Sequence, residues 1–105
     1  MAYLKIKSGV TPRLLYIAAA IANVAQTLDE PDDITITSGT DGKHMAGSLH
    51  YKGAALDVRT KNFPNSQAKR VFIDAVLKRL GSGYQGILES EGKLAEHAHF
   101  EFDPD

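Results

Sequence analysis

The sequence predicts an α+β domain, a small antiparallel sheet with two main helices. Two stretches repeat apolar residues every three or four positions, three shorter ones alternate apolar and polar residues, and a polar turn containing glycine separates two strand-like segments near the C-terminus. With 105 residues, 43% of them hydrophobic and 24% charged, the composition is that of one globular domain spanning 1–105.

Residues 3–7 alternate weakly and predict an edge strand. Thr11 and Pro12 read as N-cap and first helical position, and Leu14, Ile17, Ile21, Val24 and Leu28 follow on one face. The acidic stretch 29–33, with Pro31, ends that helix. Ile34-Thr35-Ile36-Thr37 is a short strand by its β-branched alternation, and 38–52, rich in glycine and polar residues, is a loop. In 54–59 a period of two sets Leu56 and Val58 on one face and Ala55, Asp57 and Arg59 on the other. Asn65 or Ser66 caps a second helix whose apolar positions are Val71, Phe72, Ala75, Val76 and Leu80, with Gly81 at its end. Its Lys69, Arg70, Lys78 and Arg79 read as a solvated face. Segments 87–89 and 94–102 form a hairpin around Ser90-Glu91-Gly92-Lys93.

Twelve Lys plus Arg against thirteen Asp plus Glu leave 12 − 13 = −1, which provides no electrostatic footprint for nucleic acid or an anionic membrane. The longest apolar run, 14–22, is too short to span a bilayer and is not placed like a signal peptide, so the expectation is a monomer synthesised in the cytoplasm without one. The absence of cysteine removes disulfides and thiolate metal sites, which leaves a His/carboxylate metal site as the available staple besides the core.

Four histidines in so short a chain mark the chemistry, because His is the commonest metal ligand. His50 stands seven positions before Asp57, with Gly53 between them to let the chain turn, and Glu96-His97-Ala98-His99 adds a carboxylate and two imidazoles. An aspartate on a strand of small and apolar residues is disfavoured unless something pairs with it. Two imidazoles and one carboxylate, with a fourth position left to water, is the pattern of a catalytic zinc.

The run Ser48-Leu49-His50-Tyr51-Lys52-Gly53-Ala54-Ala55-Leu56-Asp57 resembles the Ser-x-His-x-x-Gly-x-Ala-x-Asp motif of the M15 peptidases, the zinc D-Ala-D-Ala carboxypeptidases and L-alanyl-D-glutamate endopeptidases of hedgehog-type fold. Glu96-His97-Ala98-His99 resembles that family's Glu-x-x-His, and Thr37-Ser38-Gly39 resembles the opening of its active-site loop. The resemblance implies that His50, Asp57 and His99 hold Zn2+, that Glu96 is the general base, and that the substrate is a peptidoglycan stem peptide, as for a phage endolysin acting at the bacterial cell wall. Asp41 stands where the family commonly carries an arginine, so Arg59, Lys43, His44 and His97 are the candidates to steady the oxyanion. Strict alternation sets His97 and His99 on one face of a strand and Glu96 on the other, which makes His97 the second candidate for acid or base unless a bulge intervenes. Two rival readings share these residues: a closed zinc site bracing a hedgehog-like binding module for cell wall or protein, and a non-haem iron oxygenase built on two His and one carboxylate.

Overall fold

The computed structural model describes residues 2–6, 12–38 and 55–103, within which the chain is α+β. The elements run β1 (Tyr3–Ile6), α1 (Pro12–Ala25), β2 (Asp33–Ser38), β3 (Ala55–Arg59), α2 (Ser66–Leu80), β4 (Tyr84–Glu89) and β5 (His97–Phe102). The strands form one sheet in the order β1-β2-β3-β5-β4. Three of its four pairings are antiparallel, as expected, but β1 lies parallel to β2 and the sheet is mixed. The helix between those two strands accounts for the difference, since a helical crossover returns the chain to the same sheet edge in the same direction.

Helix α1 buries Leu14, Ile17, Ala18, Ala20, Ile21, Val24 and Ala25. It stops at Ala25, short of Leu28, where the Thr27 hydroxyl and N–H both donate to the Val24 carbonyl, at 2.6 and 2.9 Å. Leu28 still packs against the core. At the start of α2 it is Asn65 that caps, its Oδ1 accepting from Ala68 N at 2.8 Å. Gly81, at φ 89°, closes the other end by donating to the Leu77 carbonyl. Phe72, Ile73, Val76 and Leu80 face inward. Val71 does not: it is 57% exposed, because at 100° per residue it points roughly 150° away from the centre of that stripe. Lys69 departs from the solvated face in the other direction, its side chain only 13% exposed.

Both helices cover one face of the sheet. Ile34 and Ile36 of β2, Leu56 and Val58 of β3, and Ala98 and Phe100 of β5 meet them there. Phe100 stands edge-on to Phe72, ring centroids 6.1 Å apart, and Phe72 packs on Phe63 at 5.1 Å. Phe100 also explains Gly86 on the neighbouring strand, where a Cβ would lie 2.9 Å from the Phe100 ring. Alternation therefore leaves Asp57, His97, His99 and Glu101 on the face that the helices do not cover. One irregularity reaches that face: between Ile36 and Ser38 strand β2 carries one residue more than β3, a bulge at Thr37 beside Asp57. Among the described residues no helix is long and apolar enough to cross a membrane.

Candidate metal centre

Cross-strand register assembles the site. Strand β5 lies between β3 and β4, so His99 is opposite Asp57 on one side and Ile87 on the other, while His97 is opposite Arg59 and Glu89. Residues directly opposite in an antiparallel pair share a face, and diagonal neighbours remain within side-chain reach. Two imidazoles two positions apart on a central strand are thereby flanked by an acid from each neighbour. One ligand atom from each of Asp57, Glu89, His97 and His99 lies within 4.8 Å of all the others.

The individual distances specify the atoms. His99 Nδ1 is 2.8 Å from Asp57 Oδ1 and 3.8 Å from Glu89 Oε1, and His97 Nε2 is 2.9 Å from Glu89 Oε1 and 3.7 Å from Asp57 Oδ1. A tetrahedral ion bonded at about 2.0–2.2 Å sets its ligand atoms roughly 3.3–3.6 Å apart, a value that the observed separations straddle. The donor set of imidazole nitrogens and carboxylate oxygens fits a borderline ion such as Zn2+. Asp57 and His99 are half-buried, whereas Glu89 is the most open of the four, its side chain 41% exposed.

Charge favours a cation at this place. Glu101 Oε1 lies 2.9 Å from His99 Nε2, so three carboxylates surround two imidazoles. The group carries −3 with both rings neutral and 2 − 3 = −1 with both protonated, a deficit that a divalent cation offsets. The hydrogen bond to Asp57 raises the His99 pKa above the ordinary histidine value, against the opposing effect of burial, and the charge of Asp57, the bond to Glu101 and the charge of Glu89 add to the rise.

Glu96 has other partners. It precedes β5 and points to the side opposite His97, as alternation requires, and no bulge in β5 re-aims it. One carboxylate oxygen accepts from Lys69 Nζ at 2.9 Å and from Gly92 N at 3.0 Å, and the other accepts from the Thr60 hydroxyl at 2.6 Å. Burial alone would raise its pKa, but the Gly92 N–H, the Lys69 ammonium and the Thr60 hydroxyl together push it down to about 2. At that value Glu96 stays ionised and clamps the turn before β5 to α2. It still forms part of the wall of a cleft of about 220 Å3 beside the metal group, with Thr37, Asp57, Arg59, Lys61 and His97.

Of the residues expected from the sequence, Asp57, His97 and His99 come together, and Arg59 lines the adjoining cleft. His44 and His50 lie outside the described residues, as do Asp41 and Lys43. Glu89 and Glu101 were not anticipated. Glu101 alternates in phase with His97 and His99 along β5, a local signal that the sequence carries, whereas Glu89 joins them only through the β4–β5 register, which depends on how 90–96 turns and which Gly92 alone does not reveal. No protein-family model, curated protein or solved structure matches this chain.

Proposed function

We propose that the protein is a metal-dependent hydrolase of peptide bonds, with Asp57, His97 and His99 holding a zinc ion and Glu89 handling the proton. The convergence of four ligand atoms from three strands onto one point carries this reading. A divalent ion held there supplies a water of pKa roughly 7 and polarises the carbonyl under attack. Glu89, the most exposed member and the one on the edge strand, reaches solvent and would accept the proton of that water, its Oε1 standing 2.9 Å from the His97 Nε2 that would hold the ion. It then returns the proton to the leaving amine. Arg59, exposed at the cleft and opposite His97, is the cation placed to meet negative charge developing on the carbonyl oxygen. Glu96 fixes the turn and stays out of the chemistry. Peptidoglycan stem peptides are the substrate class that the motif resemblance of 48–57 and 96–99 supports, which would place the action at the bacterial cell wall.

That resemblance assigns a ligand to His50 and the base to Glu96, so variants decide between the two arrangements. Glu89→Gln, Glu96→Gln and His50→Ala are titrated with zinc by calorimetry, and fragments released from purified peptidoglycan are identified by mass spectrometry. Glu89→Gln is expected to keep zinc and lose turnover by about 100-fold or more, with zinc affinity intact in His50→Ala and turnover intact in Glu96→Gln. Full activity in Glu89→Gln overturns its role, and a loss confined to Glu96→Gln transfers the role to Glu96. Loss of zinc by Glu89→Gln, without hydrolysis by any form, makes Glu89 a fourth ligand and the site a closed brace for a binding module.

A further inference from the structure

We propose that Glu101 is a positioning residue that turns His99 so that Nδ1, and not Nε2, faces the metal; the inference rests on the metal centre proposed above. Glu101 follows His99 by two positions on β5 and so shares its face, yet it lies outside the group of four converging ligand atoms. Its Oε1 is 2.9 Å from His99 Nε2. A carboxylate accepts and does not donate, so that contact fixes a proton on Nε2. Nδ1 also faces a carboxylate, Asp57 Oδ1 at 2.8 Å, so acids hold both ring nitrogens; an ion bound among Asp57, Glu89 and His97 takes the place of the Nδ1 proton, while the Nε2 proton stays with Glu101.

His97 shows the complementary arrangement. Its Nδ1 lies 2.7 Å from the Ala95 carbonyl, which also only accepts and keeps a proton there, so Nε2, which faces Glu89 and Asp57, is the nitrogen whose proton an ion would displace. The two rings thus present opposite nitrogens to a common point. One is oriented by a neutral backbone carbonyl and the other by a charged carboxylate, and the charged acceptor makes His99 the stronger donor. Glu101 therefore acts through His99, as outer carboxylates do behind metal-binding histidines.

The test uses the full chain and zinc alone. Wild type, Glu101→Gln and Glu101→Leu are titrated with Zn2+ against a competing chelator, and nitrogen–proton NMR of the histidine rings reads the tautomers of the zinc-loaded forms. The expected wild-type pattern is a protonated Nε2 on His99 and a protonated Nδ1 on His97. Glu101→Leu is expected to bind zinc roughly 10- to 100-fold more weakly with His99 in mixed tautomers. Glu101→Gln, whose amide oxygen still accepts from Nε2, recovers the single tautomer and most of the affinity. Unchanged affinity and an unchanged His99 pattern in Glu101→Leu overturn the role of Glu101, as does metal on Nε2 in the wild type. Absence of zinc binding by the wild type overturns the metal centre itself, and the positioning role with it.

Discussion

The two faces of the sheet are built from the same strands by alternate residues, and they are opposite in kind. Toward the helices, β3 and β5 present Leu56, Val58, Ala98 and Phe100, all at most 1% exposed. Away from the helices the same strands present Asp57, His97, His99 and Glu101, half-buried, with His99 bonded to Asp57 and Glu101 and with His97 bonded to Glu89 and the Ala95 carbonyl. A one-residue shift in register would exchange the two sets and destroy both core and site. The apolar face thus does more than stabilise: by fixing which residues of β3, β5 and β4 lie opposite, it sets the separations on which the polar face depends. The dependence does not run the other way, since a half-buried polar cluster offsets much of its mutual attraction by the cost of leaving water.

The largest test of that asymmetry is Phe100→Ala. It removes the ring packed on Phe72 and beside Gly86, and should lower unfolding free energy by about 3–5 kcal/mol in urea denaturation. That is a large share of the stability of a small domain. Zinc affinity should fall with it, because the pairing of β5 with β3 and β4 loosens. A variant that loses this much stability yet binds zinc as the wild type does would show that the site holds itself together.

The same asymmetry explains what the sequence disclosed. Both helical stripes, the outward turn of Asp57 and the common face of His97 and His99 are periodicities of 3.6 or two residues, which a local pattern records. The direction of β1 was not legible, because it is set by the crossover through α1 and not by any residue of the strand itself. Glu89 and Lys69 were missed for a related reason. Glu89 reaches His97 only through the register of the hairpin, and Lys69, which looks like one more charge on a basic helix, meets Glu96 27 positions later in the chain. Local pattern told which face a residue occupies, whereas its partner there depended on packing between elements.

A medium-sized effect separates Glu96 from the polar face it adjoins. Lys69→Met removes the ammonium 2.8 Å from a carboxylate that is 6% exposed, leaving that charge without its cation, and should cost about 3 kcal/mol. Because the folded-state pKa of Glu96 lies at about 2, below its ordinary 4.5, its stabilising contribution is present above pH 4.5 and is lost as pH falls toward 2. Urea unfolding of wild type between pH 5 and pH 2 should show that loss, and Lys69→Met should reduce it. An equal acid slope in both proteins would mean that Lys69 does not hold Glu96 ionised.

The smallest effect on stability belongs to the candidate metal centre. Asp57→Asn keeps an oxygen that can accept from His99 Nδ1 but removes one of three carboxylates crowded around two rings. In metal-free protein the lost attraction to His99 and the relieved repulsion among the acids oppose each other, so stability should change by less than about 1 kcal/mol. Its pH dependence should change more clearly. A histidine whose pKa is raised by folding stabilises fully below its unfolded value and loses that contribution as pH rises through the folded one. Metal-free wild type should therefore weaken as pH rises past the ordinary histidine value of 6.5, and Asp57→Asn, lacking the first cause of the shift, should weaken less. Zinc affinity should nevertheless fall about 100-fold in the variant, since an amide is a far poorer ligand for the ion than a carboxylate. Small loss of stability with large loss of metal is the signature of a face built for binding; the reverse outcome would make the pairing of Asp57 with His99 a part of the scaffold.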